Sequence, residues 1–484
     1  MMVVPSGVIV CSHRGPVSFA LTGNRLVARP AGPGGLVPVM GPAIRSVGGI
    51  WIAAAITDSD HEMARAAPEG MSMERYRLRL LSLPPGGHRE QYEVVSVEHL
   101  GKLFHYLYRL PIEPGYGEAF RHAWRSYRLV NRRFARSVLE LGSAAPVLVQ
   151  DFHLLCVGQE IRRLDPTNRQ PILFFHHVPW CEPDYFSVLP APVRDEILRA
   201  VLAYDVVGFH SARWARAFIA CCERYLPGAT CSDTEVRWRN RRVSVVAVAA
   251  CIDAEAVRAA SASRECERWL HRLTALRAGR RVLIRVDRAD LWKNMLRGFE
   301  AFELLLERRP DLSRHLWFLA LTSRTRSWVP EYRTYLRRCQ ASARRINERF
   351  GGSSPSEQPV TLLIDPEGRS SHARALAGLR LADAVLINPL FDGLNIVAKE
   401  AVAVAEHSAA LVLSRNAGVY EQFRSGVEAV NPFDVIETAE AIERAIELGP
   451  SEMARRARFL NRVVQQEKPA RWVQAQLDAL GQAN

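Results

Sequence analysis

Arg281-Val-Leu-Ile-Arg-Val286 runs into Asp287-Arg-Ala-Asp-Leu-Trp-Lys-Asn294, and Ala382-Asp-Ala-Val-Leu-Ile387 runs into Asn388-Pro-Leu-Phe-Asp-Gly-Leu-Asn-Ile-Val-Ala-Lys-Glu400. Each pair reads as a short buried parallel strand followed by a charged loop and then a helix. After the first loop, Met295, Phe299, Phe302 and Leu306 fall on one helical face; after the second, a helix is expected from Asn395 to Ala405. Further strands expected at 315–321, 359–364 and 409–414 alternate with helices, the pattern of a doubly wound parallel sheet. Ligands of such sheets bind at the carboxyl ends of the strands, and a helix start there offers free N–H groups to an anion. Arg288 and Lys293 have the chemistry to hold a diphosphate, one as a fork and the other as a point charge. The chain has four lysines (Lys102, Lys293, Lys399 and Lys468), and two of them lie in these loops.

The first half has the same grammar. Gly7 to Cys11 is an apolar run ending at Ser12-His-Arg14, and Pro30 to Leu36 places Gly32, Gly34 and Gly35 before a helix, so that backbone amides can approach a phosphate. This is not a dinucleotide fingerprint. Patchy strands are expected from Trp51 through Val97, and a helix from Glu118 to Leu141. A strand at 147–150 delivers Asp151 and His153, one at 171–175 delivers His176 and His177, and one at 206–210 precedes Ser211, a helix cap. A carboxylate and an imidazole from neighbouring strand ends can bind sugar hydroxyls or move a proton, or can be no more than hydrogen-bonded core groups. Residues 235–242 read as an exposed hairpin or loop, and Val243 to Val248 as the start of a second sheet. The expected division is therefore 1–245, 246–465 and a terminal helix 466–484 crossing back to the first domain.

Bulk properties narrow the class. A chain of 484 residues suits two cores, and 48% apolar with 24% charged residues is ordinary for a soluble protein. No run of 18 apolar residues suggests a membrane span and the first residues lack a secretion signal, so a cytoplasmic protein is expected. The net charge of +13 is spread among acids and does not argue for nucleic acid. Nine cysteines without a C-x-x-C pair read as reduced, mostly buried thiols. His176, His177 and Cys181 lack a second ligand pair, so no metal is expected.

The motifs Arg288-x-Asp-x-x-Lys293 and Asp392-Gly-x-Asn-x-x-x-Lys-Glu400 resemble the donor site of the trehalose-phosphate synthases. Ser12-His-Arg14, Gly34-Gly-Leu36, Asp151-Phe-His153, Phe175-His-His-Val-Pro179, Asp205-Val-Val-Gly-Phe209, Ser323-Arg324 and Val430-Asn-Pro-Phe-Asp434 follow the same family's order along nearly the whole chain. The resemblance implies a retaining, nucleotide-sugar glycosyltransferase of GT-B fold, two Rossmann-like domains facing a central cleft. The acceptor binds in the first domain and a UDP- or GDP-type donor in the second, with no tightly bound cofactor and a possible homo-oligomer. It implies that Gly34, Gly35, Asp392, Gly393, Leu394, Asn395 and Glu400 hold the donor, Glu400 by the ribose. Asp151 would contact the acceptor, His177 the donor's C6 hydroxyl, and Arg14 and Arg324 the acceptor's phosphate.

On the acceptor side the chain departs from the family: Ala54 stands for a tryptophan, Phe104 for another, and His210 for a glutamine. Ala54, Lys293-Asn294 and the Trp472-Val-Gln-Ala-Gln-Leu-Asp stretch resemble validoxylamine 7-phosphate synthases, pseudo-glycosyltransferases that join two cyclitols. A trehalose-like linkage in a specialised, antibiotic-type metabolite is expected, from a sugar or a cyclitol donor. The rival from another class is a catalytically silent paralogue that binds a nucleotide or sugar phosphate and regulates.

Overall fold

The computed structural model describes residues 7–483 except 24, 31–35, 85, 369–370 and 406–407. The chain forms two compact units, one of Met1–Ala250 with Pro469–Asn484 and the other of Cys251–Lys468.

The first unit carries twelve strands among the described residues: β1 Val8–Ser12, β2 Val17–Thr22, β3 Arg25–Pro30, β4 Gly49–Ala54, β5 Met71–Ser72, β6 Tyr76–Leu81, β7 Val147–Gln150, β8 Ile172–His176, β9 Val206–Phe209, β10 Thr230–Ser232, β11 Glu235–Trp238 and β12 Arg241–Ala247. Ten of them make one sheet in the order β10-β11-β12-β9-β8-β7-β1-β4-β6-β5. From β12 to β6 every neighbouring pair is parallel. These strands are continuous apolar runs because helices cover both faces of such a sheet; β1, β4, β7, β8 and β9 are buried at every position. The helix Glu118–Glu140 turns Phe120, Trp124, Tyr127, Phe134 and Val138 inward at helical spacing. Ser211 caps the helix Ala212–Tyr225 through the Trp214 N–H.

Two sequence expectations are corrected here. Val243 to Val248 does not open a second sheet: β12 pairs in parallel with β9, Ser244 opposite Val206, and so extends the first. Part of the stretch read as patchy strands is a π-helix, Arg89–Gly101, which buries Gln91, Val95 and Leu100.

Among its described residues the second unit carries a six-stranded sheet, parallel throughout: β13 Arg281–Arg288, β14 Leu316–Ser323, β15 Val360–Asp365, β16 Ala384–Ile387, β17 Ala410–Ser414 and β18 Glu428–Val430, ordered β15-β14-β13-β16-β17-β18. Met295, Phe299, Phe302 and Leu306 pack from the helix Met295–Arg308 onto Leu283, Phe318 and Leu386 in one core. The last helix, Pro469–Ala483, belongs to the first unit, where Trp472 lies 5.0 Å from the Phe175 ring and donates its indole N–H to the Val248 carbonyl at 3.1 Å. Among the described residues no helix is long and apolar enough to cross a membrane.

Candidate active site

In the second unit the chain fills β13, β14 and β15 outward on one side, then returns to lay β16, β17 and β18 on the other. Strand order therefore reverses between β13 and β16, and the crevice at the carboxyl ends of such a pair is where doubly wound sheets hold ligands. The two loops that flank it carry the charged motifs. Lys293 ends a tight turn closed by Asn294 in the left-handed region (φ 59°), and the Asn294 side-chain amide donates to the carbonyls of Asn388 (3.0 Å) and Pro432 (2.7 Å), tying the loops together. Lys293 Nζ then donates to Asp392 Oδ2 at 2.6 Å, and Asn395 Nδ2 donates to the same oxygen at 3.1 Å. Asn395, at φ 79°, caps the helix Ile396–Val404 through the Ala398 N–H. Gly393 and the buried Leu394 sit between them; the loop runs so close to Gly418 that a Cβ there would fall 1.9 Å from the Gly393 carbonyl oxygen.

These groups form a charge cluster at a helix start. Burial weakens Lys293's hold on its proton, but Asp392 and Asp287 more than offset this, so its pKa is raised and it remains an ammonium. The nearby Arg288 acts the other way on Lys293, which places two cations within electrostatic reach of each other. Arg288 Nη2 rests on Asp290 at 2.7 Å with its side chain 37% exposed, and the fully buried Asp290 also holds Arg326. Glu400 Oε1 is 3.0 Å from His372 Nε2, and that contact raises the His372 pKa. Lys399, the other lysine of the motif, points elsewhere: its side chain is fully buried against Glu467 at 2.6 Å, a structural ion pair. Arg324 follows β14 and is exposed.

The first unit has the same geometry. Its order reverses between β1 and β7, and the groups at those strand ends are His13, Arg14 and Asp151. Asp151 is held at φ 72°, ψ 162°, a backbone conformation unfavourable for a residue with a Cβ and found preferentially at functional sites. Its Oδ1 accepts the N–H groups of Phe152 (3.0 Å) and His177 (3.3 Å). Burial pushes its pKa up to about 7, against those two hydrogen bonds. The exposed Arg14 lies with its guanidinium 5.7 Å from the Tyr92 ring centroid, and Tyr92 stacks on His13 at 4.7 Å. His13, His88 and His153 continue the stack.

A chain of bonds fixes the tautomers beside it. The Ala250 N–H donates to His210 Nδ1 (3.2 Å), so the His210 proton lies on Nε2 and donates to His177 Nδ1 (3.1 Å). The His177 proton is then on Nε2, 2.8 Å from Gln150 Oε1. Burial lowers the His177 pKa to about 3, so this imidazole is neutral at physiological pH and both of its nitrogens are engaged. Ala54 ends β4, buried, its N–H donating to the His13 carbonyl at 3.1 Å.

The glycosyltransferase family 20 model matches residues 6–482. The chain belongs to that family. Across 461 residues, 93% of the chain and 88% of the relative, it is 29% identical to the validamine 7-phosphate valienyltransferase of Streptomyces hygroscopicus subsp. jinggangensis. Across 493 residues, 99% of the chain and 96% of the relative, it is 31% identical to the trehalose-6-phosphate synthase of Mycobacterium avium. A solved E. coli trehalose-6-phosphate structure with UDP-2-fluoro glucose superimposes with a TM-score of 0.83 at 25% identity, covering 98% of both chains. The trehalose-phosphate synthase from Burkholderia vietnamiensis gives 0.83 at 27%, covering 99% of this chain and 100% of its own. The fold is GT-B and the protein is a family 20 glycosyltransferase of trehalose-phosphate synthase type.

Within this family 20 chain the expected residues divide. Arg288, Lys293, Asp392 and Asn395 come together, with Gly393 and Leu394 in the same loop; Glu400 stands farther along the following helix, where its contact is His372. Asp151, His177 and His210 gather on the β7, β8 and β9 ends. Phe104 does not join them. It is fully buried, edge-on to His176 at 4.6 Å and 5.0 Å from Trp180, and offers no surface to an acceptor. Gly34 and Gly35 lie outside the described residues. His176 Nε2 lies 3.1 Å from the Pro179 carbonyl and Cys181 is buried, so neither is set out as a ligand. Tyr92 escaped the sequence reading and His13 appeared there only within the Ser12-His-Arg14 motif, because nothing in local spacing announces a ring stack built from three separate segments.

Proposed function

We propose that this protein transfers a sugar or cyclitol, with retention, from a UDP donor to a phosphorylated acceptor, making a trehalose-like linkage. The observation that carries the proposal is the Lys293 to Asp392 contact at the strand-order reversal, beside the Asn395-capped helix start. With a sugar donor the bond from the anomeric carbon to the diphosphate oxygen breaks, one from an acceptor oxygen forms on the same face, and the hydroxyl's proton leaves with the diphosphate. The sugar ring passes through an oxocarbenium-like state, whereas a cyclitol, which has no ring oxygen, carries the developing positive charge on carbon alone; in either case the principal demand is to stabilise negative charge on the departing diphosphate. Arg288, Lys293 and the N–H groups after Asn395 are suited to that task, since preorganised donors aimed at developing charge are usually the largest catalytic term. Glu400 is assigned to the donor's ribose hydroxyls, and Asp151 to acceptor hydroxyls, which an ionised carboxylate accepts strongly. Arg14, exposed at the end of β1, is the cation assigned to the acceptor's phosphate.

A cyclitol acceptor, within an antibiotic-type pathway, is favoured over glucose 6-phosphate by the acceptor side itself. Ala54 leaves no indole to stack on a glucose ring, and His210 is already bonded to Ala250 and His177. The similarity to a valienyltransferase supports the same choice. The test is a thermal-shift panel of nucleoside diphosphates, followed by product analysis with UDP-glucose and phosphorylated hexoses or aminocyclitols. Stabilisation by UDP and an acceptor-dependent product with the donor's anomeric configuration are expected. Stabilisation without turnover for any acceptor would instead favour a binding paralogue.

A further inference from the structure

Arg285 is a charged residue in the middle of β13, in its buried stretch beside Val282, Leu283 and Ile284. Its side chain is 0% exposed, and a guanidinium cannot discard its proton to escape that environment. Nη2 donates to Asp287 Oδ2 and to the Lys293 carbonyl, both at 2.8 Å. Nε and Nη1 are buried without a hydrogen-bond partner, so the group is not placed there for its own satisfaction. The fold also makes room for it: a Cβ on Gly298 would sit 2.5 Å from Arg285 Nη1.

The geometry points to Arg285 as a positioning residue for the donor site, acting through Asp287 and the Lys293 carbonyl. This rests on the proposed reading of Lys293 as the diphosphate's ammonium. Asp287, itself 6% exposed, lies 3.8 Å from Lys293 Nζ, and Asp392 lies 2.6 Å from the same nitrogen on another side. An ammonium between two buried carboxylates would be fully neutralised and drawn inward. Arg285 takes up the charge of Asp287 and anchors the Lys293 backbone, so the four charges balance and Lys293 answers to one carboxylate, Asp392, instead of two when a diphosphate arrives. The charges Arg285, Asp287, Lys293 and Asp392 then alternate in sign from the sheet interior to the strand-order reversal, and removing the innermost cation leaves an uncompensated buried anion.

The test is calorimetric titration of the purified full chain with UDP, comparing wild type, Arg285→Met, Asp287→Asn, the double variant Arg285→Met/Asp287→Asn, and Lys293→Ala. Arg285→Met is expected to weaken UDP by about tenfold, the usual scale for losing an outer partner of a charged ligand group. The double variant, which removes both buried charges, is expected to return to within about threefold of wild type, because the carboxylate that competes for Lys293 is gone. Where Arg285→Met alone does not fold, the double variant decides. Unchanged affinity in Arg285→Met, or a folded double variant that binds as weakly as the single one, overturns the inference. Unchanged affinity in Lys293→Ala overturns the underlying reading of the site and is seen separately.

Discussion

Asp151 combines a strained backbone with a proton affinity displaced toward neutrality, and that displacement has opposite consequences for stability and for activity along the pH axis. Its folded pKa, about 7, lies above that of an unfolded aspartate, so its contribution to stability is present below about pH 4 and is lost as pH rises through 7. In its proposed role Asp151 binds acceptor hydroxyls in the ionised form, so kcat/KM is expected to rise through about pH 7, and in Asp151→Asn that limb is expected to vanish together with most activity. A pH-rate profile on both proteins checks this; an unchanged limb in the variant would assign it to another group. His177 makes a complementary case. With its pKa near 3 and its proton placed on Nε2 by the Ala250–His210 chain, it should give nitrogen-15 shifts of a neutral Nε2–H ring at pH 6. An imidazolium there would contradict the bonding described. His210→Gln is expected to keep that tautomer, since an amide can also accept from Ala250 and donate to His177; His210→Phe is expected to lose it.

Loops at strand ends carry the chemistry, and elements set the loops. The loop Phe391–Asn395, proposed to hold the donor, is fixed from beneath by Gly418, so Gly418→Ala must displace the Gly393 carbonyl, at a cost of about 1–3 kcal/mol. Its expected signature is a raised donor KM with the melting temperature lowered by only a few degrees; an unaltered KM would mean that the loop does not hold the donor. The elements were largely legible beforehand. Buried parallel strands are short apolar runs, so β7, β13, β16 and β17 could be read to within two residues, and with them the charged groups that follow. Pairing partners were less legible, because β12 belongs to its sheet through contacts with β9, more than thirty residues earlier. Lys399 looked like its neighbours until Glu467, distant in sequence, claimed it. Arg285 lies inside a stretch read as a buried strand, and local pattern does not reveal that Gly298 leaves room for its guanidinium.

At the scale of the molecule, two doubly wound units each present their polar groups where strand order reverses. The chain's end is part of the first of these units. Trp472 packs against Phe175, His177 and His210, so Trp472→Ala should destabilise that unit by about 3–5 kcal/mol and loosen the His210 chain. Denaturant unfolding measures the first effect; a loss below about 1 kcal/mol would mean that the helix is peripheral. The two units differ in charge: Cys251–Lys468 carries clustered cations at a helix start, and Met1–Ala250 carries the buried Asp151 beside His177. The central claim is that Lys293 and Arg288 stabilise a departing diphosphate, and the most direct measurement is acceptor-dependent release of UDP by Lys293→Ala beside wild type. A fall in kcat on the order of a hundredfold, with the fold intact, is the result expected. Turnover at the wild-type rate would contradict it.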